Sequence, residues 1–200
     1  MPRGDSKQSW VVQPAIVRRA SLWDGTLVER CADGDEQAWN ALYSQYERAV
    51  RRFLTRLGVE QSALDDTCQD VFLSAFRSLS GFRGDCSFQS WLYRLCVTQA
   101  RLARRRRRIY TLLTELLGRT PRPEATRGEL AADRASRLVN EGLAQMTDSD
   151  RLAFVLYELE GLSGREAAQI AGCPEATLWR RLHYARKRFR DYIESQGVGT

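Results

Sequence analysis

The chain has 200 residues, with 31 Lys and Arg against 25 Asp and Glu, a net charge of +6. That length makes one ordinary domain or two small ones, and 43% hydrophobic with 28% charged residues suits packed helices rather than a disordered chain. No apolar run approaches the ~18–20 residues of a membrane span, and the opening MPRGDSKQSWVVQ lacks a signal peptide's apolar centre, so a cytoplasmic protein without membrane contact is expected.

Residues 1–23 carry two prolines and no sustained periodicity and read as a tail. A short helix is expected over about 24–33, ending at Gly34. The next helix carries Ala38, Leu42, Tyr46, Ala49, Phe53 and Leu57, one apolar stripe at spacings of three and four, and Gly58 stops it. A third begins near Ser62-Ala-Leu-Asp65, which reads as a capping box. Its stripe is Leu64, Cys68, Val71/Phe72, Ala75 and Leu79. After the loop 82–87 comes a fourth helix with Phe88, Trp91, Leu92, Leu95 and Leu102, running into five consecutive arginines, Arg104 to Arg108.

Composition then changes. Residues 118–128 (GRTPRPEATRG) have two prolines and no stripe, so 110–133 reads as a linker that could open with a short helix at 110–117. Periodicity resumes with Ala135, Leu138, Val139, Leu143 and Met146, and Thr147 caps a further helix to about Glu160. The fold class expected is all-α: two helical lobes, 24–109 and 134–196, joined by a flexible tether, with a short tail at 197–200.

Five scattered cysteines (Cys31, Cys68, Cys86, Cys96, Cys173) form no C-x-x-C, and His183 is the single histidine. No metal site, disulfide framework or cofactor is expected. Gly-rich phosphate loops and a nucleophile elbow are missing too, so no catalytic residues are assigned and the chain is not read as an enzyme.

Residues 161–190, GLSGREAAQIAGCPEATLWRRLHYARKRFR, carry the sharpest local signal. Ser163 with Glu166 forms a capping box, Gly172 closes a short helix, and Pro174 suits the first turn of the next. Two helices across so short a turn make a helix-turn-helix. In the second helix Leu178, Leu182, Ala185, Phe189 and Ile193 define the buried side. At ~100° per residue the opposite side presents Ala176, Arg180, His183, Tyr184 and Lys187, flanked by Trp179 and Arg186. A helix apolar on one side and cationic on the other fits major-groove docking; the bland alternative is a solvated face on a bundle helix.

Of the 31 basic residues only Lys7 and Lys187 are lysines, leaving 29 arginines. Arginine's planar fork suits phosphates and guanine edges, although codon bias in a G+C-rich genome would produce the same count. The placement of charge says more. Glu60, Asp65, Asp66 and Asp70 make the third helix acidic at its start, a surface for a basic protein rather than for DNA. The fourth helix pairs aromatics (Phe82, Phe88, Trp91, Tyr93) with arginines, as unstacked single strands require. Trp91 reads better as core, Phe82 and Arg83 as loop-edge binding candidates.

These segments resemble the extracytoplasmic-function (ECF) group of bacterial sigma factors over about residues 26–108 and 137–193. DGDEQAWNALYSQYERAVRRFL is similar to region 2.1, DDTCQDVFLSAFRSLSGFRG to region 2.2, SFQSWLYRLC with the arginines to regions 2.3 and 2.4, and the stretch from Asp150 to Ile193 to region 4. The resemblance implies an initiation subunit of RNA polymerase that recognises −10 and −35 promoter elements and promotes melting. It implies docking of Asp65, Asp66, Gln69, Asp70 and Phe72 on the β′ clamp helices of core polymerase. Phe82, Arg83, Phe88, Arg94, Thr98, Arg101, Arg104 and Arg105 would hold the −10 element as a single strand. Ala176, Thr177, Trp179, Arg180, Arg181, His183, Tyr184, Arg186 and Lys187 would read the −35 duplex while their lobe rests on the β flap. An inhibitory anti-sigma partner is implied as well. Val97, Thr98 and Leu102 depart from the family's usual fourth helix, and Trp179-Arg180-Arg181 from its usual recognition helix. Rival readings are a dimeric helix-turn-helix regulator, which leaves the acidic helix unexplained, and a helical adaptor, which leaves the arginine run unexplained.

Overall fold

The computed structural model describes residues 24–116 and 134–197; the expectations for the first 23 residues, for most of the linker and for the last three positions lie outside them. Among the described residues there is no strand. Helix α1 (Asp24–Ala32) turns at Gly34, whose φ of +86° suits a residue without a Cβ. Asp35 then caps α2 (Glu36–Arg56), accepting from the amides of Gln37 and Ala38 at 2.9 and 3.1 Å. The Ala38 amide and the Arg30 guanidinium hold the Asp35 carboxyl below its ordinary range.

Ala38, Leu42, Tyr46 and Phe53 are buried as the stripe requires, but Val50 and Leu54 join them and Ala49 stays half-exposed. The wider face follows from packing: α2 meets α1, α3 and α4 at once. Fully burying side chains of this size stabilises the lobe by about 1.5–3 kcal/mol each.

Helix α3 (Gln61–Ser78) buries Leu64, Cys68, Val71, Phe72 and Ala75, the expected stripe. Its expected capping box does not form. Glu60 occupies the N-cap position without a side-chain cap bond, its carboxylate pairing with Arg107, while Asp65 is drawn to Arg51. Leu79 follows in a short 3₁₀ turn.

Helix α4 spans Phe88–Leu116, 29 residues. The arginine run is therefore the middle of a helix rather than its end, and the start of the expected linker continues α4. Phe88 and Leu92 are buried with Tyr93, Cys96, Val97 and Ala100, whereas Leu102 is exposed. α4 packs on α2 and α3 and completes the first lobe.

The second lobe comprises α5 (Arg134–Ala144), α6 (Asp148–Phe154), α7 (Gly164–Ala171) and α8 (Glu175–Ser195). Thr147 caps α6, and that helix widens into a π turn over Val155–Leu159 before Glu160. Leu143, Met146, Leu152, Phe154, Leu178 and Leu182 form its core. α5 crosses α8 at Gly142, where an added Cβ would meet the Phe189 ring at 2.7 Å.

The lobes are not merely tethered. α7 packs on α4 and α5 approaches α2, and polar bonds bind the seam. Arg56 Nη1 donates to Glu160 at 2.7 Å, Arg104 Nη1 to Asp148 at 3.0 Å, and Arg151 Nη1 to the Leu57 carbonyl at 3.4 Å. Sequence periodicity carried no sign of this, because each bond joins residues at least forty positions apart.

Candidate nucleic-acid interface

The turn between α7 and α8 is built locally. Ser163 Oγ accepts from the Glu166 amide and Glu166 reaches back to the Ser163 amide, so the capping box is complete. Gly172 ends α7 at φ +66°. Pro174 stands at the N-cap of α8, one position before the expected first turn, where its missing N–H costs nothing. Leu178, Leu182 and Ala185 are fully buried against α6 and α7.

With that side anchored, Ala176, Arg180, His183, Tyr184 and Lys187 all lie exposed on the other. Trp179 stands beside them, its indole packed edge-on to Tyr157 at 5.0 Å between ring centres. Thr177 and Arg181 are half-buried. Arg186 is committed elsewhere: its Nε donates to Glu158 at 2.6 Å and its guanidinium lies 5.7 Å from the Tyr157 ring centre. Arg181 turns toward the seam and lines a small cleft with Arg101, Arg104 and Asp148.

In the first lobe, Phe82, Phe88 and Trp91 form an aromatic cluster with centres 5.4–5.8 Å apart. Phe88 is its buried member, packed also on Tyr46. Phe82 is half-buried at the rim and Arg83 is exposed beside it. Along α4, Thr98, Arg101 and Arg105 are exposed, Arg94 and Arg104 half-buried. On α3, Asp65, Asp66 and Gln69 are exposed and Asp70 half-buried, with Asp65 paired to Arg51 and Asp70 to Arg106 of α4 at 3.4 Å.

Comparison with known proteins shows the family. Residues 42–109 match the Sigma-70 region 2 model and residues 136–189 the Sigma-70 region 4 model. The ECF RNA polymerase sigma-E factor of Haemophilus influenzae is 34% identical over 188 residues, covering 86% of this chain and 96% of the relative. The sigma-E factor of Escherichia coli K12 is 31% identical over 183 residues, covering 86% and 95%. The chain belongs to the ECF RNA polymerase sigma factors. It serves transcription initiation by recognising promoters and directing RNA polymerase to them.

Two solved structures share the sigma factor's fold. CnrH, in complex with the cytosolic domain of CnrY, aligns with a TM-score of 0.62 at 23% identity, covering 85% of this chain and 96% of that one. RpoE, in complex with the anti-sigma factor NepR from Bartonella quintana, aligns with 0.66 at 20% identity, covering 78% and 96%.

Within this sigma factor the structure sorts the expected residues. On α8 it groups Ala176, Arg180, His183, Tyr184 and Lys187 as one open face and takes Arg186 into an ion pair behind it. In the first lobe it removes Phe88 as a stacking platform, since a ring 3% exposed has no open face for a base. Tyr93 is also internal, stacked on Phe53 at 4.1 Å with 7° between the planes. Phe72 is a core residue, 7% exposed, with Tyr43 against it. The exposed apolar side chains of α3 are instead Leu73 and Phe76, which sequence reading missed. The signal was present: both fall outside the three-and-four stripe, on the flank that carries Asp66, Gln69 and Asp70.

Among the described residues no cluster of three or more His, Cys, Asp or Glu is placed to hold a metal ion. No described helix is long and apolar enough to cross a membrane.

Proposed function

We propose a division of labour within this sigma factor. A domain over residues 24–109 meets core polymerase and the −10 element, a domain over 134–196 reads the −35 element, and 110–133 links them. Asp65, Asp66, Gln69 and Asp70, with the adjoining Leu73 and Phe76, dock on the β′ clamp helices, the acidic groups steering and the apolar ones anchoring. Phe82 and Arg83 lead the capture of the −10 single strand, with Arg94, Thr98, Arg101, Arg104 and Arg105 along its backbone. A lobe that holds the extruded strand better than the duplex shifts the equilibrium toward the open state. Polymerisation stays with core enzyme, so this chain contributes binding rather than a reaction, and it works in the cytoplasm.

For the −35 element, Arg180, His183 and Tyr184 face the base edges while Lys187 and the flanking basic residues meet phosphates, with Ala176 and Thr177 at the entering end of α8. The lobe as a whole rests on the β flap. The observation that carries the reading is the uniform exposure of the α8 outer face above a fully buried Leu178–Leu182–Ala185 side. An anti-sigma factor is a further partner, as NepR is in the solved complex with RpoE.

The test is run-off transcription with purified core polymerase. Start-specific transcripts that require this chain are expected. Duplex binding by the chain alone, with no promoter-dependent transcript in the presence of core, would convert the reading to a stand-alone helix-turn-helix regulator.

A further inference from the structure

The seam between the lobes is organised around one carboxylate. Glu160 belongs to the second lobe, directly after the π turn, and is 3% exposed. Both its oxygens are taken by first-lobe groups: Oε2 accepts from the Tyr93 hydroxyl at 2.5 Å and Oε1 from Arg56 Nη1 at 2.7 Å. The socket is rigid, since Tyr93 is stacked on Phe53 and its oxygen also accepts from Gln89 Nε2 at 2.8 Å. A buried carboxylate held by one cationic donor, Arg56, and one neutral donor, the Tyr93 hydroxyl, locks one geometry, because separating the partners leaves each to be resolvated.

What the lock holds together is otherwise ill-matched. Arg101 and Arg104 of α4 and Arg181 of α8 converge on one small cleft whose carboxylate is Asp148. Arg94 reaches Gln169 across the seam at 3.4 Å, while its Nε is buried without a hydrogen-bond partner. Like charges brought together and an unsatisfied guanidinium N–H both favour separation. These are also the arginines assigned above to DNA, and with the lobes shut they face each other.

We propose that the Glu160–Tyr93–Arg56 lock is an autoinhibitory contact. It keeps the lone sigma factor closed, with Arg94, Arg104 and Arg181 turned into the seam, and it must break before both lobes can engage polymerase and promoter. The consequence for binding rests on the division of labour proposed above; the closure itself does not.

The experiment uses the full chain with donor and acceptor dyes on Cys86 and Cys173, one half-exposed thiol on each lobe. Energy transfer reports closure, and titration of core polymerase reports engagement. The unaltered chain should give one narrow, high-transfer population. Tyr93→Phe and Glu160→Gln should each add a broad low-transfer population and tighten core binding by about three- to tenfold, the factor by which the competent fraction rises. Tyr93→Phe keeps the stack on Phe53, so it reads the lock even where Glu160→Gln fails to fold by circular dichroism. A broad distribution in the unaltered chain, or variants that stay closed, would overturn the lock. Variants that open without any gain in core binding would overturn the autoinhibition. Loss of core binding by every form, with the distances behaving as expected, would strike the polymerase reading and leave the closure standing.

Discussion

The indole of Trp179 lies over Gly164 so closely that a Cβ at that glycine would stand 2.6 Å from Cζ2. The first residue of α7 and the second turn of α8 are thereby set against each other, and this contact fixes how the two helices of the turn cross. Gly164 has an ordinary helical position, where alanine is favoured over glycine by about 0.5–1 kcal/mol. Here the clash decides the sign. Gly164→Ala should destabilise the chain by about 1–2 kcal/mol in urea unfolding, and in a Trp179→Ala background the same change should become neutral or stabilising.

Gly34 and Gly58 both sit at positive φ, +86° and +82°. Gly34 has open space around it, whereas a Cβ at Gly58 would fall 2.0 Å from Arg151 Nη1 at the seam. Gly34→Ala should cost only the backbone strain, about 1–2 kcal/mol. Gly58→Ala should cost that and also displace Arg151, whose guanidinium donates to the Leu143 carbonyl at 2.8 Å. Equal losses in thermal midpoint for the two variants would show that Arg151 is not held where it stands.

The thiols should separate by burial. Cys86 and Cys173 are half-exposed, while Cys31, Cys68 and Cys96 are buried, so a disulfide reagent at neutral pH should modify the first two and reach the others only on unfolding. Burial pushes Cys68 up to about 11 and raises Cys96 and Cys31 as well. Burial, then the Glu160 carboxylate, raises Tyr93. In each case the native state keeps a proton that the unfolded chain gives up. Stability from these groups is therefore complete below their ordinary values, near 9 for a thiol, and falls as pH rises toward 11. Denaturant midpoints that hold constant from pH 8 to 11 would contradict the burial of Cys68 and Cys96.

On α8 the outward residues should split into two classes. Arg180→Ala or Trp179→Ala should alter the preferred −35 sequence in a selection experiment, as expected of side chains near base edges, at about 1–3 kcal/mol. Lys187→Ala should weaken all sites alike and lower the salt slope of binding by about 1. Indistinguishable site preferences for the Arg180 and Trp179 variants would assign both to positioning.

For the acidic flank, Asp66→Arg with Asp70→Arg should reduce affinity for core polymerase and slow association, most clearly at low salt. Phe76→Ala, at a side chain 61% exposed, should raise the dissociation rate while leaving helix content unchanged. Unaltered binding in both variants would move the polymerase contact off this flank.

Much of this molecule was legible in local pattern. The capping box at Ser163 and Glu166 formed as read, because its partners lie three residues apart and nothing competes for them. The similar pattern at Ser62 and Asp65 failed because distant groups outbid it: Arg51 took Asp65, and Arg107 took Glu60. The same logic explains the aromatic residues. Their place beside the arginines marked Phe82, Phe88, Trp91 and Tyr93 as a set, but which rings turn inward depended on α2, whose Tyr46 and Phe53 pack on Phe88 and Tyr93. Phe76 is legible only as a residue outside the stripe, on the flank of Asp66, Gln69 and Asp70; that its ring lies bare followed from how α3 packs.

Read alone, the residue order determined the helices, the turn before α8 and the cationic outer side of that helix, since each follows from groups within a few positions of one another. Only the folded chain decided that Glu160 would find Tyr93 and Arg56, that Arg186 would serve Glu158, and that the two lobes would close on each other. Those pairings join separate helices, and their stability comes from desolvation and geometry that exist once the helices have packed.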